Sequence, residues 1–418
     1  MEILSTGEKI KRARVYKGIT LKELCGNKVS ISKMSCIENG KIKADKDILE
    51  YIADKLDLDY KYLVRDVKEQ IISNLELINK DLVPDEEMDR VINHNLNYAL
   101  EYSYNNLAFE LIHKLFSYYV KKNKVENIQL IISQYYDLYQ KNNTRENTIT
   151  YYIDMATFFY SIKDYNEAIN YYARARNLLK SEKNFSKYNY AYICYREGKS
   201  YEKMGLLEET YKTLKEALKY IDHISDSLEK GDIYHCFATV CIRLKKDESE
   251  KYLKLAYQHK KANPIILAIS KGKNAKSYFY VGNIEKAIEE IKEGIDIFPV
   301  EDEKKYVRFL NSCIRTLYEN KEYDIAYEIT DKALNSAINS KDIVLIEEAY
   351  YLKGMILQKK GMYVQAEMYM NLSLDSLFKF ANREKRHERY LDMGEMYYKL
   401  GDVKDSLKYF TLAMKLEK

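Results

Sequence analysis

Residues 274–287 read Asn-Ala-Lys-Ser-Tyr-Phe-Tyr-Val-Gly-Asn-Ile-Glu-Lys-Ala, and residues 393–413 read Met-Gly-Glu-Met-Tyr-Tyr-Lys-Leu-Gly-Asp-Val-Lys-Asp-Ser-Leu-Lys-Tyr-Phe-Thr-Leu-Ala. In both, a small residue (Ala275, Gly394) is followed three positions on by an aromatic (Tyr278, Tyr397) and seven on by glycine (Gly282, Gly401). A second small residue (Ala287, Ser406) comes twelve on. Small side chains let two helices cross closely, and a glycine at positive φ ends the first of them. Each stretch therefore predicts a helical hairpin.

The hairpin recurs. Ala156, Gly198, Ala238, Ala275, Ile314, Gly354 and Gly394 hold one slot, at spacings of 42, 40, 37, 39, 40 and 40. Twelve positions later Ala168, Thr210, Ala287, Ala326, Ala366 and Ser406 recur, with Tyr172, Leu214, Ile291, Met370 and Phe410 four beyond where a large residue is present. A degenerate earlier copy falls on Phe116, Tyr119, Ile128, Ile132 and Tyr135, making about eight repeats from residue 100 to 418. Pro299 stands where a second helix should end. These residues resemble the tetratricopeptide repeat, whose period is usually about 34. A period near 40 implies longer helices or loops.

Composition agrees with a helical reading. Only 14 Gly and 3 Pro occur in 418 residues, about 4% where an average protein carries roughly 12%. A β-sandwich, β-barrel or doubly wound fold needs far more turn residues.

The first 66 residues lack the 40-residue echo and show five short helical patterns instead: Gly7 to Val15, Leu21 to Cys25 capped by Thr20, Ile31 to Asn39 capped by Ser30, Asp45 to Lys55, and Tyr60 to Leu63 capped by Asp59. Ile10, Leu24, Met34, Ile37, Ile52, Leu56 and Leu63 form the expected core. From Lys9 to Lys43, ten basic residues stand against Glu23 and Glu38, a net +8; since the whole chain is +4, the remainder is −4. Such a basic patch is the electrostatic footprint of nucleic-acid binding.

The runs Ile10 to Leu24, Ser30 to Lys41 and Ile48 to Leu63 resemble the lambda-repressor-like helix-turn-helix domain, with one residue fewer in the turn around Gly26 to Val29. The resemblance implies that the second helix braces the phosphate backbone and the third lies in the major groove. Ser30, Ser32, Lys33 and Cys36 then face base edges, with Thr20 at the start of the bracing helix. Lys9, Lys11, Arg12, Lys41 and Lys43 read as phosphate contacts, which position without specifying sequence. Arg14 and Glu38 match a family pair that forms a partly buried salt bridge, and Gly40 reads as a helix C-cap.

The expected fold is all-α: an N-terminal five-helix helix-turn-helix domain (1–66), a helical linker (67–98) broken by Pro84, and a right-handed tetratricopeptide-type α-solenoid (99–418). A DNA-binding domain fused to such repeats resembles the RRNPP family of Gram-positive regulators. That resemblance implies a homodimer on double-stranded DNA with two half-sites, switched by a short signalling peptide in the concave groove of the repeats. The inward positions of the first helix in each repeat give Tyr195, Lys199, Asp232, His235, Thr239, Arg243, Lys276, Tyr280, Arg308, Asn311, Arg315 and Tyr351, with Asn274 adjacent; all but Asp232, Arg243 and Tyr280 are expected peptide contacts. Asn pairs with peptide amides, and Arg or Lys with a terminal carboxylate. Arg308, Asn311 and Arg315 share one helix face and form the sharpest constellation on the chain. The alternative is a regulator or scaffold whose repeats dock a protein partner such as a response regulator.

Catalysis, cofactors and metals are not expected. The six His are scattered, and no HExxH, GxSxG or phosphate-loop glycine motif occurs. The six Cys form no CxxC pair and read as reduced thiols of a cytoplasmic protein. No signal-peptide core or membrane-length apolar run is present, so no membrane partner is expected.

Overall fold

The computed structural model describes residues 3–417. Within them every regular element is a helix. Five short helices open the chain: α1 (Thr6–Tyr16), α2 (Leu21–Cys25), α3 (Ile31–Glu38), α4 (Lys46–Leu56) and α5 (Tyr60–Val64). Their starts are set by Ser5, Thr20, Ser30, Asp45 and Asp59 at the N-cap, and all but Asp45 accept a backbone N–H on the side chain. Such caps stabilise a helix by about 1 kcal/mol each. Ile10, Leu24, Met34, Ile37, Ile52, Leu56 and Leu63 are buried together in one small core.

Next come α6 (Val67–Asn79), α7 (Asp85–Glu101), α8 (Asn105–Lys121), α9 (Val125–Lys141), α10 (Arg145–Ser161) and α11 (Tyr165–Lys180). The segment read as a linker does not behave as one. Val67, Ile71, Leu75 and Ile78 of α6 are buried in a single apolar core with Val91 and Leu96 of α7 and Leu115 and Phe116 of α8. Ile3 joins that core. Beside it, the Gln70 side chain accepts from the Leu4 amide at 3.2 Å and donates to the Leu4 carbonyl at 2.9 Å. Leaving four apolar side chains of an amphipathic helix in water would forfeit roughly 1.5–3 kcal/mol each, which is why α6 packs rather than spans.

The remaining helices pair as hairpins: α12 (Lys187–Lys203) with α13 (Leu207–Leu218), α14 (Ser227–Arg243) with α15 (Ser249–Lys260), α16 (Pro264–Tyr280) with α17 (Ile284–Ile297), α18 (Glu303–Glu319) with α19 (Tyr323–Ser340), α20 (Ile343–Lys359) with α21 (Tyr363–Leu377), and α22 (Arg383–Leu400) with α23 (Val403–Glu417). Contacts divide the chain into two compact units, residues 1–186 and 187–418. The first holds α1 to α11 and the second the six hairpins from α12 onward. This boundary lies between two repeats of the 40-residue frame, where the sequence period shows no break.

The repeat slots do what their sizes predict. Ala156, Ala238, Ala275, Ala168, Ala287, Ala326 and Ala366 are fully buried. At Gly354 a Cβ would lie 2.8 Å from the Met370 side chain, and at Gly394 a Cβ would lie 2.8 Å from the Phe410 ring, so the two helices touch through the missing side chain. Where the second slot holds Ser406, its hydroxyl donates to the Gly394 carbonyl across the crossing at 2.9 Å. The turn slot seven residues on has φ of 77, 78, 77 and 88° at Gly205, Gly282, Gly361 and Gly401. The same slot in the other hairpins holds Lys163, Lys245 and Lys321, at φ of 66, 55 and 66°. The backbone path is thus common to all repeats, whatever residue occupies the turn.

Candidate functional sites: a basic helical face and a cleft between hairpins

In the N-terminal bundle, α3 begins in solvent. Ser30, Ile31 and Ser32 are exposed, Lys33 and Cys36 are half-buried, and Met34 and Ile37 anchor the opposite side in the core. Lys11, Arg12, Lys22, Lys28, Lys41 and Lys43 are exposed on α1, α2 and the segments flanking α3. Lys33 reaches Asp45 at 3.0 Å, at the border where the acidic surface of α4 begins. Arg14 forms the expected pair, donating from Nε to Glu38 at 2.6 Å and from Nη2 at 3.0 Å, with the Glu38 carboxylate almost wholly buried. The hydrogen bond to Glu38 holds the guanidinium pKa above its ordinary value despite burial.

Two expected DNA contacts are corrected. Lys9 is 1% exposed, and its ammonium donates to the carbonyls of Tyr62 at 2.8 Å and Arg65 at 2.5 Å, so it latches α1 to the end of α5 and cannot reach a phosphate. Thr20 is a capping residue: its hydroxyl accepts the Glu23 amide at 3.2 Å and donates to the Glu23 carboxylate at 2.8 Å, which commits its one proton. Ile31, an apolar residue at the first position of α3, is 49% exposed.

The inward positions of the repeats separate into internal and accessible groups. Asn274 is fully buried and donates to the Tyr257 hydroxyl of α15, which itself donates to Glu290 of α17 at 2.7 Å. It therefore faces the second helices of the hairpins, where no ligand reaches it. Thr239 is buried and donates back to the Cys236 carbonyl at 2.8 Å within its own helix. His235 is buried with Nε2 3.1 Å from the Ser270 carbonyl of α16. Burial, reinforced by the charges of Lys260 and Lys273, pushes its pKa down to about 3, so the ring is neutral. Tyr195 is largely buried, with the half-exposed Lys199 ammonium 5.6 Å from its ring. Of these, Asn274 and His235 join one helix to another, whereas the contacts of Thr239 and of Tyr195 with Lys199 stay within their own helices.

The triplet on α18 is also divided. Glu348 of α20 accepts from Asn311 Nδ2 at 3.1 Å and from Arg315 Nη2 at 2.7 Å, so the chain itself supplies the carboxylate that Arg315 was expected to meet on a ligand and takes the amide donor that Asn311 was expected to give a peptide. Asn311 is 1% exposed, with its carbonyl oxygen left without a partner. Tyr351 donates to Asp392 at 2.9 Å beneath the Arg389 guanidinium, 3.2 Å from the ring centroid. Arg308 and Lys276 are different. Both are exposed, and both line a cleft of about 340 Å³ between α16 and α18. Its apolar walls come from Ile265, Ile269 and Phe309, and Ile291 and Phe298 contribute from α17 and the segment after it. Lys273 and Lys305 complete the rim.

Residues 347–376 match the tetratricopeptide repeat family model. They cover α20 and α21, one hairpin of the series. A tetratricopeptide-repeat-containing protein of Methanocaldococcus jannaschii is 25% identical over 295 residues, which is 66% of this chain and 45% of that protein. The chain thus spans less than half the length of the curated relative it matches. Among solved structures, the apo form of the quorum sensor NprR from Bacillus thuringiensis is 13% identical, with a TM-score of 0.49 over 86% of this chain and all of that one. PlcR of Bacillus thuringiensis, solved with a peptide and DNA, is 17% identical, with a TM-score of 0.35 over 62% of this chain and 95% of its own.

Among the described residues, no group of His, Cys, Asp and Glu has the arrangement of a metal site, and no helix is long and apolar enough to cross a membrane. Five of the six cysteines are buried, and Cys36 alone is half-exposed. In the first unit, Asp154 of α10 accepts from Tyr135 at 2.7 Å and faces His113 Nδ1 of α8 at 2.6 Å. Burial alone would lower the His113 pKa, but the Asp154 charge and hydrogen bond outweigh it and the net displacement is upward.

Proposed function

We propose that this chain is a DNA-binding regulator, acting as a homodimer on two half-sites, whose repeats bind a short peptide that changes its DNA affinity or assembly. It carries out no chemistry of its own. The observation that supports this most is the separation of charge in the N-terminal bundle. Exposed cations surround the solvent-facing start of α3, whereas Asp45, Asp47, Glu50 and Asp54 outnumber Lys46 and Lys55 on α4 and its N-cap. A face of this kind draws phosphates to the exposed start of α3. Ser and Ile at its start discriminate bases weakly, so backbone contacts and DNA shape carry much of the affinity.

The test is binding of random-sequence double-stranded DNA to the full chain by fluorescence anisotropy across a salt series. Binding should weaken steeply with salt, and Lys41→Glu combined with Lys43→Glu should flatten the log–log slope by about 2. Absence of any duplex binding at low salt removes the DNA reading. A second reading, in which the repeats dock a protein such as a response regulator, is favoured by one feature. Val364, Met368 and Leu372 of α21 are 76%, 51% and 38% exposed at helical spacing, an apolar stripe suited to a protein surface. Addition of peptide should then leave DNA affinity and oligomeric state unchanged.

A further inference from the structure

Asp45 stands at the start of α4 with the backbone of an N-cap and a side chain that does not cap. Its φ of −68° and ψ of 157° match those of Thr20 (−75°, 158°) and Ser30 (−69°, 147°), whose side chains do accept a backbone N–H. Elsewhere Asp59, Asp66, Asp164, Asp226, Asp302 and Asp342 begin helices, and each accepts such a bond at 2.7 to 3.2 Å. The Asp45 main chain starts its helix in the usual way, its carbonyl accepting from Ile48 at 3.1 Å and from Leu49 at 3.0 Å. What is missing is a side-chain bond to the N–H of Asp47, the second helical residue, of the kind Asp59 and Asp342 make to Lys61 and Val344. Aspartate is among the best capping residues, so a competitor must hold this one away.

The competitor is on α3. Lys33 donates to Asp45 Oδ2 at 3.0 Å, a bond that crosses from α3 to the start of α4. Both side chains reach solvent, Lys33 at 40% exposure and Asp45 at 73%. An exposed ion pair and a side-chain cap contribute stabilities of the same small size. Rotation of the Asp45 side chain alone exchanges one for the other, because the backbone already has the capping conformation. The pair also restrains Lys33, a long side chain that would otherwise sample many rotamers in water.

We propose that Asp45 is an exchangeable partner of Lys33: it positions the ammonium in the free chain, and it turns onto the Asp47 N–H to cap α4 when an acceptor on duplex DNA takes Lys33 over. This rests on the DNA reading above and adds what becomes of the carboxylate. Without the exchange, drawing Lys33 to the duplex would leave Asp45 unpaired beside a polyanion. With it, the carboxylate gains a backbone donor at a helix N-terminus, where negative charge is favoured. Binding then forms two charge-assisted bonds for the one it breaks. Asp45 is thus a positioning residue, acting on DNA through Lys33.

The experiment follows exchange of the Asp47 amide proton with solvent in the full chain, isotope-labelled at aspartate, by nuclear magnetic resonance. Lys33→Gln frees Asp45 without any DNA, so the Asp47 amide should exchange about fivefold more slowly than in the unaltered chain, the factor that a cap of ordinary strength supplies. A short random-sequence duplex added to the unaltered chain at low salt should slow it by a similar factor. In Asp45→Ala neither Lys33→Gln nor the duplex should change the rate, which separates capping from direct shielding by DNA. Asp45→Ser caps without carrying charge, and its Asp47 amide should be slow with and without duplex. An amide indifferent to Lys33→Gln overturns the assignment whatever the duplex does. So does a duplex that binds by anisotropy yet leaves the amide unchanged, or slows it equally in Asp45→Ala; in these cases the DNA reading stands. If no duplex binds, the DNA reading falls and the role of the exchange falls with it.

Discussion

The three lysines at the left-handed turn inside a hairpin offer a measurement of what the repeat path costs. Lys163, Lys245 and Lys321 are exposed, and they occupy the slot that glycine fills in four other hairpins. A residue with a Cβ pays about 1–2 kcal/mol in this region. Glycine avoids that cost but loses more backbone freedom on folding, which takes back about 0.5–1 kcal/mol. Each Lys→Gly change should therefore stabilise by about 0.5–1 kcal/mol. Lys245 and Lys321 both lie in the second unit, 187–418. Far apart in sequence, they should add, raising its thermal midpoint by about 2–8 °C at 2–4 °C per kcal/mol for a unit of this size. Gly282→Ala is the mirror experiment: a Cβ there meets nothing within 4 Å, so only the backbone conformation is tested, and the loss should be about 0.5–1 kcal/mol. Circular dichroism melts of the full chain read both. A neutral Gly282→Ala alongside a destabilising Lys321→Gly would refute the shared left-handed path.

Two histidines should give opposite pH responses. His113 has a raised folded pKa, so its stabilising contribution to the first unit is complete below the unfolded value, about 6.5, and disappears as pH rises through the folded one. His235 has a folded pKa near 3, so the unfolded chain binds the extra proton and the second unit should lose about 1.4 kcal/mol per pH unit as pH falls from 6.5 toward 3. Urea titrations of His113→Gln and His235→Gln across pH 4–8 should each abolish one slope. Arg14→Ala should destabilise the N-terminal bundle by about 3 kcal/mol, because it strands a Glu38 carboxylate that is 4% exposed, and chemical denaturation will show it. Burial pushes the Cys241 and Cys313 thiols up to about 12, so a thiol reagent at pH 8 should modify Cys36 first in the native chain, and bound duplex DNA should slow that reaction.

The repeat architecture was legible because its signals are local and repeated: one small slot, one turn slot, one large slot, each imposed by the same helix crossing. The N-terminal helices were legible for a similar reason, their caps at Thr20, Ser30 and Asp59 being short-range devices. What a helical frame cannot tell is which polar side chain meets a partner on the next element. Asn274, Asn311 and Arg315 sit one to three positions from repeat slots, yet Tyr257 and Glu348, 17 and 37 residues from Asn274 and Asn311, decide their roles. Lys9 was misassigned because its charge was visible and the carbonyls of Tyr62 and Arg65, in and just after α5, were not.

The Gln70 contact with Leu4 has a mechanical consequence. The N-terminal bundle is held to α6 at two separate points, the covalent chain at Arg65–Asp66 and the clasp between Leu4 and Gln70, with Ile3 seated in the neighbouring core. A joint fastened at one point is a swivel, whereas one fastened at two is a bracket that resists torque. Any rearrangement of α6 would therefore turn the bundle with it instead of being absorbed at a loose tether. A fragment cut after residue 66 would lose both fastenings, leave Ile3 without the core it sits in, and behave differently from the same helices in place.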